Sequence, residues 1–142
     1  MIGFLLAVVA GAAMSVQGVM NTFVQEKIGL WEANAYVQGT AFALSLLVWW
    51  IFGRGSLKAL AGVPWGYWLG GALGLVITVT VMLSIKNLNP TVAISAILIA
   101  QLLVAAAIDY FGWMGQEKVS FSLGRWLGLA LMLGGVALFK WS

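Results

Sequence analysis

Long apolar runs alternate with short polar breaks along the whole chain, and the breaks hold most of the Pro, Asn and charged residues. Each run is close to the roughly 20 residues that a helix needs to cross a bilayer. The pattern predicts helices from about Ile2 to Gln25, Ala33 to Phe52, Pro64 to Ile85, Pro90 to Gly112 and Leu123 to Lys140. Gly29 can end the first, and Glu26, Lys27 and Glu32 mark water there. The segment GRGSLKALAGVP (53–64) reads as a loop with one short interfacial turn capped by Ser56. In KNLNP (86–90), Asn89 is an N-cap and Pro90 a first-turn residue. So short a link predicts that the third and fourth helices are antiparallel neighbours. GQEKVSFS (115–122) is the next loop, with Ser122 as a candidate cap.

Composition turns this helical pattern into a membrane protein. Of 142 residues, 63% are hydrophobic and 8% charged, with a mean hydropathy of +1.03. A water-facing surface cannot be made from that mixture at this size. The expectation is an all-α integral membrane protein, a single domain of five transmembrane helices with no room for a soluble domain. The first run lacks a basic leader, and its apolar stretch outlasts any small-residue cleavage site. It therefore reads as the first helix rather than a signal peptide. Trp31, Trp49, Trp50, Trp65, Trp68, Trp113, Trp126 and Trp141 all fall near expected helix ends. That is the aromatic belt pattern, with ligand stacking the alternative for one or two of them.

Charge then informs orientation. The net charge is +3, and the cations sit at the ends of runs as headgroup anchors. Five spans place the termini on opposite faces. Arg54, Lys58, Lys118 and Arg125 share the N-terminal face, and Lys27, Lys86 and Lys140 the other. The positive-inside rule barely chooses between the two orientations.

The polar residues inside the runs are the candidates for function. Gln17, Asn21 and Gln25 recur every four residues in the first helix. Gly3, Ala7, Gly11 and Ser15, extended by Gly18 and Thr22, form a small-residue stripe on the opposite side, suited to close packing in lipid. An amide facing lipid leaves its hydrogen bonds unmade, at a cost of about a few kcal/mol. One amide alone reads as interhelical glue. Three in line favour the wall of an aqueous pathway. Asn34 and Gln38 in the second helix, and Ser95 and Gln101 in the fourth, extend that neutral polar lining. Gly66, Gly70 and Gly74, with Gly71 beside them, and then Gly124 and Gly128, followed by Gly134 and Gly135, are packing or dimer signals. Asp109 is the only acid inside an expected span. It reads as a shallow anchor that reaches water or pairs with Lys118 or Arg125; proton coupling is the sharper alternative.

The chain has no Cys and no His. Disulfides, thiolate metal sites and imidazole catalysis are thereby excluded. With no carboxylate pair in a span and no phosphate-cradling loop, no catalytic constellation, metal site or cofactor is expected. Nucleic acid is not an expected partner either.

The runs AQLLVAAAIDYFGWMG (100–115) and SFSLGRWLGLALMLGGVAL (120–138) closely resemble the C-terminal half of the YdcZ-like family. These are small bacterial inner-membrane proteins of the drug/metabolite transporter superfamily, described as exporters. Gln17 and Asn21 look like that family's Gln-x-x-x-Asn pair, and Gly39-Thr40 like its Gly-Thr. The most specific part is Gln101-Leu102-Leu103 with Asp109 and Phe111-Gly112, then Gly124-Arg125 and Gly128. The family often has His where this chain has Tyr110, so a role that needs that imidazole does not carry over. The resemblance implies a small-solute exporter in the bacterial inner membrane. It also implies that five helices are one half of a ten-helix inverted repeat. Weak charge bias then fits dual topology. An antiparallel homodimer, or a paralogous five-helix partner, would rebuild the repeat needed for alternating access. The competing expectations are a non-transporting accessory subunit, in which the amides are glue, and a flippase for a lipid-linked substrate.

Overall fold

The residues that break the hydrophobic pattern are those that break the helices. In the computed structural model, which describes residues 1–141, every α-helix boundary falls at or beside a Gly, Pro, Asn or Ser except at the N-terminal Met1 and the C-terminal Trp141. The helices are α1 (Ile2–Ile28), α2 (Leu30–Phe52), α3 (Gly70–Asn87), α4 (Pro90–Phe111) and α5 (Leu123–Trp141). The fold is all-α, as expected. Among the described residues, four helical stretches are long and apolar enough to cross a membrane: α1, α2, Trp65–Asn87 and α4. The fifth is shorter, an apolar stretch of Leu123–Phe139. The side chains of Lys140 and Trp141, used above for charge and belt, lie outside the described residues.

Several boundaries differ from expectation. The break between α1 and α2 is one residue, Gly29, rather than a loop from Glu26 to Glu32. Gly29 sits at φ 103°, ψ 160°, outside what an L side chain adopts easily. Its N–H donates to Gln25 O at 2.9 Å, and its own carbonyl accepts from Ala33 N–H at 3.1 Å. The helical ladder therefore closes on both sides of a single left-handed residue, and α2 starts at Leu30, three residues before Ala33. The third span does not begin as an α-helix at Pro64. Pro64 precedes a 3₁₀ turn, Trp65–Leu69, and α3 starts at Gly70. Gly66, Gly70 and Gly71 lie in or beside this stretch, and glycine is a poor α-helix former. Ser56 precedes a 3₁₀ turn at Leu57–Gly62, but its side chain makes no capping bond.

Other boundaries match. Asn89 Oδ1 accepts from Val92 N–H at 2.9 Å, and Pro90 occupies the first turn of α4. Gly112, at φ 66°, closes α4, its N–H donating to Ile108 O at 2.8 Å. Ser122 O accepts from the N–H groups of Arg125 and Trp126 at the start of α5.

Backbone proximity divides the chain into two compact units, Met1–Lys86 and Asn87–Ser142. In the first unit the buried residues gather where α1, α2 and α3 meet: Gly18, Thr22, Gln25, Ala33, Asn34, Met82 and Ile85. The closest approach is at Gly18, where an added Cβ would lie 2.9 Å from Ile85 Cδ1 and 3.1 Å from Val81 Cγ1. The small-residue stripe thus packs only at its C-terminal extension, because Gly3 and Gly11 have open space around them. Glycine packing elsewhere is sparser than the sequence suggests. Gly74 approaches Gln38 Nε2, at 3.8 Å from an added Cβ, while Gly66, Gly70, Gly71, Gly128, Gly134 and Gly135 meet nothing, and Gly124 meets only Ser122 Oγ at 3.8 Å.

Most of the large apolar side chains are exposed along the helices. The seven Trp side chains among the described residues are all exposed, from 52% at Trp49 to 81% at Trp50. Outward-facing apolar surface over this length suits hydrocarbon as solvent, with the indoles at its rim.

Candidate functional site

Three amides at a spacing of four do not stay on one side of a helix. Each step of four residues turns about 40° past a full turn, so Gln25 is rotated about 80° from Gln17. Gln25 instead lies seven residues after Gly18, within about 20° of it and so on the packed stripe. Burial follows this drift: Gln17 is exposed, Asn21 half-buried, and Gln25 is only 5% exposed. The single amide line expected from the sequence is therefore two things. Gln17 and Asn21 stand on an open face, and Gln25 enters the three-helix core.

The open face carries a shallow hollow. Val9, Ala12, Ala13, Val16, Gln17, Met20 and Asn21 line it, an open space of about 560 Å³ on α1 alone. Small residues at 12 and 13 make the hollow, and the two amides are its polar groups. Neither amide side chain forms a hydrogen bond among the described residues.

Two buried amides lie one turn to either side of Gly29. Gln25 and Asn34 are each 5% exposed, and Gln25 Oε1 and Asn34 Oδ1 have no hydrogen-bond partner. An orphaned buried acceptor costs about 1–3 kcal/mol. Thr22 beside them is satisfied, because its hydroxyl donates to Gly18 O at 2.8 Å. This corner of the first unit thus offers two unengaged carbonyl-type acceptors, which only a donor can satisfy.

Gln38 behaves differently. Its Nε2 donates to Thr78 Oγ1 on α3 at 3.5 Å, a long bond, and the Thr78 hydroxyl donates to Gly74 O at 2.9 Å. Gln38 is interhelical glue. Thr78 is the partner that sequence reasoning missed; its signal was a hydroxyl, shared with Thr80, within the apolar run LVITVTVM. In the second unit, Gln101 is exposed and Ser95 half-buried on α4.

Asp109 is half-buried, one turn before Gly112. Its backbone carbonyl accepts from Val119 N–H at 2.9 Å, fastening the following loop to α4. Of the two anchor readings, pairing with a cation is not seen: among the described residues neither Lys118 nor Arg125 bridges to it. The Lys118 stem lies over Gly112, its Cγ 2.7 Å from where a Cβ would be. The Arg125 guanidinium sits over the Phe121 ring, 5.6 Å from its centroid. Among the described residues, no cluster of acids could hold a metal ion.

Searches of curated proteins and of solved structures found no match. A family model does match, from residue 2 to residue 138, and so takes in α1 to α4 and most of α5, together with the hollow on α1 and the buried amides. The chain belongs to the family described as "Putative inner membrane exporter, YdcZ".

Proposed function

We propose that this protein is a small-solute exporter that works as a dimer by alternating access. The amide-lined hollow on α1 carries the reading. Exposed apolar residues of α1 are at home in lipid, but Gln17 and Asn21 are not. They call for water, a solute or a second protein surface opposite them. A second copy of the chain, inserted in the opposite orientation, supplies that surface and a matching hollow. Gln17 and Asn21 then line the path from both subunits. Gln25 and Asn34 mark the inner end of the path in each first unit, where their free oxygens accept hydrogen bonds from a solute rich in N–H or O–H groups. The family description supports export across the inner membrane, and an exporter is not a class of enzyme.

The test is transport in the Asn21→Ala variant, measured as efflux from cells and vesicles over a broad panel of amines, amides and polyols. We expect export to fall while the protein still inserts and dimerises. Wild-type export of every solute in the panel by that variant would sink the pathway assignment. The accessory-subunit alternative predicts instead that Gln17→Leu or Asn21→Leu disrupts assembly, and that an unrelated partner co-purifies in stoichiometric amount.

A further inference from the structure

In the second unit, α4 and α5 meet at the loop between them and carry two grooves that share Ala106, Phe121 and Leu129. One, of about 350 Å³, is apolar, with Tyr110 and Trp126 in its wall. The other, of about 300 Å³, is lined by Asp109 and Arg125 as well as by apolar side chains. These opposite charges border one groove without forming an ion pair, because the guanidinium is held over Phe121 instead. They also share one level, since Asp109 is near the last turn of α4 and Arg125 in the first turn of α5. Leu102 lies seven residues before Asp109, and Met132 seven after Arg125, so both line the groove about 10 Å deeper. The groove therefore has a mouth with two unpaired charges and an apolar floor. That is the shape and polarity of an amphiphile whose head carries both signs.

We propose that this groove holds a zwitterionic phospholipid with a primary ammonium group, of the phosphatidylethanolamine class. Asp109 takes the ammonium, Arg125 the phosphate, and the start of one acyl chain lies along Ala105, Leu102 and Met132. Phosphatidylglycerol, a head of one sign, would satisfy Arg125 but offer Asp109 only neutral hydroxyl donors in place of an ammonium. Phosphatidylcholine has both charges but no N–H to donate to the carboxylate.

The experiment is lipid titration of the purified full-length protein, read by native mass spectrometry, with phosphatidylethanolamine, phosphatidylcholine and phosphatidylglycerol of matched acyl chains. Loss of one charge-assisted bond corresponds to about tenfold in affinity. We expect the ethanolamine lipid to bind about tenfold more tightly than either of the others. Asp109→Asn should abolish the preference for ethanolamine over choline, and Arg125→Gln should weaken both. Met132→Trp should block the floor without touching either charge, which keeps the test decisive if a charge variant folds poorly. Equal binding of the three lipids to the wild type, or an unchanged ethanolamine preference in Asp109→Asn, overturns the proposal. So does displacement of the lipid by millimolar soluble phosphoethanolamine, which would make the ligand a soluble zwitterion.

Discussion

Replacing Gly18 by Val places three carbons where even the first has no room, since its Cβ would lie 2.9 Å from Ile85 Cδ1 and 3.1 Å from Val81 Cγ1. Overpacking of this kind costs about 1–3 kcal/mol. Leaving glycine in a helix returns about 0.5 kcal/mol of that. The net loss expected for Gly18→Val is about 1–2 kcal/mol. Ile85→Ala removes three carbons from the same contact, and soluble cores lose about 2–5 kcal/mol for such a change. In a membrane protein the lower end applies, because lipid tails solvate an exposed isoleucine as well as the protein does. The two changes conserve volume when combined. The double variant should therefore lose only about 1–2 kcal/mol, not the additive sum of about 3–4. The assay is reversible unfolding of the purified protein in mixed micelles, with all four members of the cycle measured alike. If the double variant loses the additive sum to within about 0.5 kcal/mol, Gly18 and Ile85 do not share a contact, and the packing of α1 on α3 described above is wrong.

Two further predictions concern topology and capping. The chain has no cysteine, so one can be placed at each terminus in turn and labelled from outside intact cells. Dual insertion predicts label on either terminus in about half the molecules, whereas label on one terminus alone rules out an inverted homodimer and points to an oppositely oriented partner chain. Asn89→Ala should cost about 1 kcal/mol by removing the cap on α4, and Asn89→Asp should restore it, both read as unfolding midpoints in micelles.

How legible the fold was depended on whether local chemistry or tertiary contact decided each feature. Asn89 and Pro90 are local signals, and the helix starts where they say. Gly112 is another, and it takes the left-handed conformation at the end of α4. Gly29 reads as a stop in the sequence, but its being one residue long does not, because nothing in the surrounding charges shows that the ladder resumes at once. The GxxxG spacing of Gly66, Gly70 and Gly74 overstates packing within the chain, since Gly66 lies in a 3₁₀ turn and leaves the α-helical row. The candidate site was half legible. Gln17 and Asn21 are polar in an apolar run, and that alone marks them. A spacing of four carried over three positions accumulates about 80° of rotation, which takes Gln25 off the open face and into the core. The pairing of Gln38 with Thr78, and the open charges of Asp109 and Arg125, depend on contacts between segments that no spacing encodes.

Gly29 has a mechanical consequence. It separates helices of 27 and 23 residues, and the α1 arm alone is about 40 Å long. The buried side chains nearest to it, Gln25, Ala33 and Asn34, cluster at the pivot, while the N-terminal half of α1 is exposed. A change of about 10° at this one joint would sweep the tip of α1 through roughly 7 Å, about one helical turn and a third. The hollow with Gln17 and Asn21 lies part-way along that lever, so the whole face is carried as one body when two backbone torsions of one residue change. Stiffening the joint, rather than altering any side chain on that face, would then be the most direct way to hold the face in a single position.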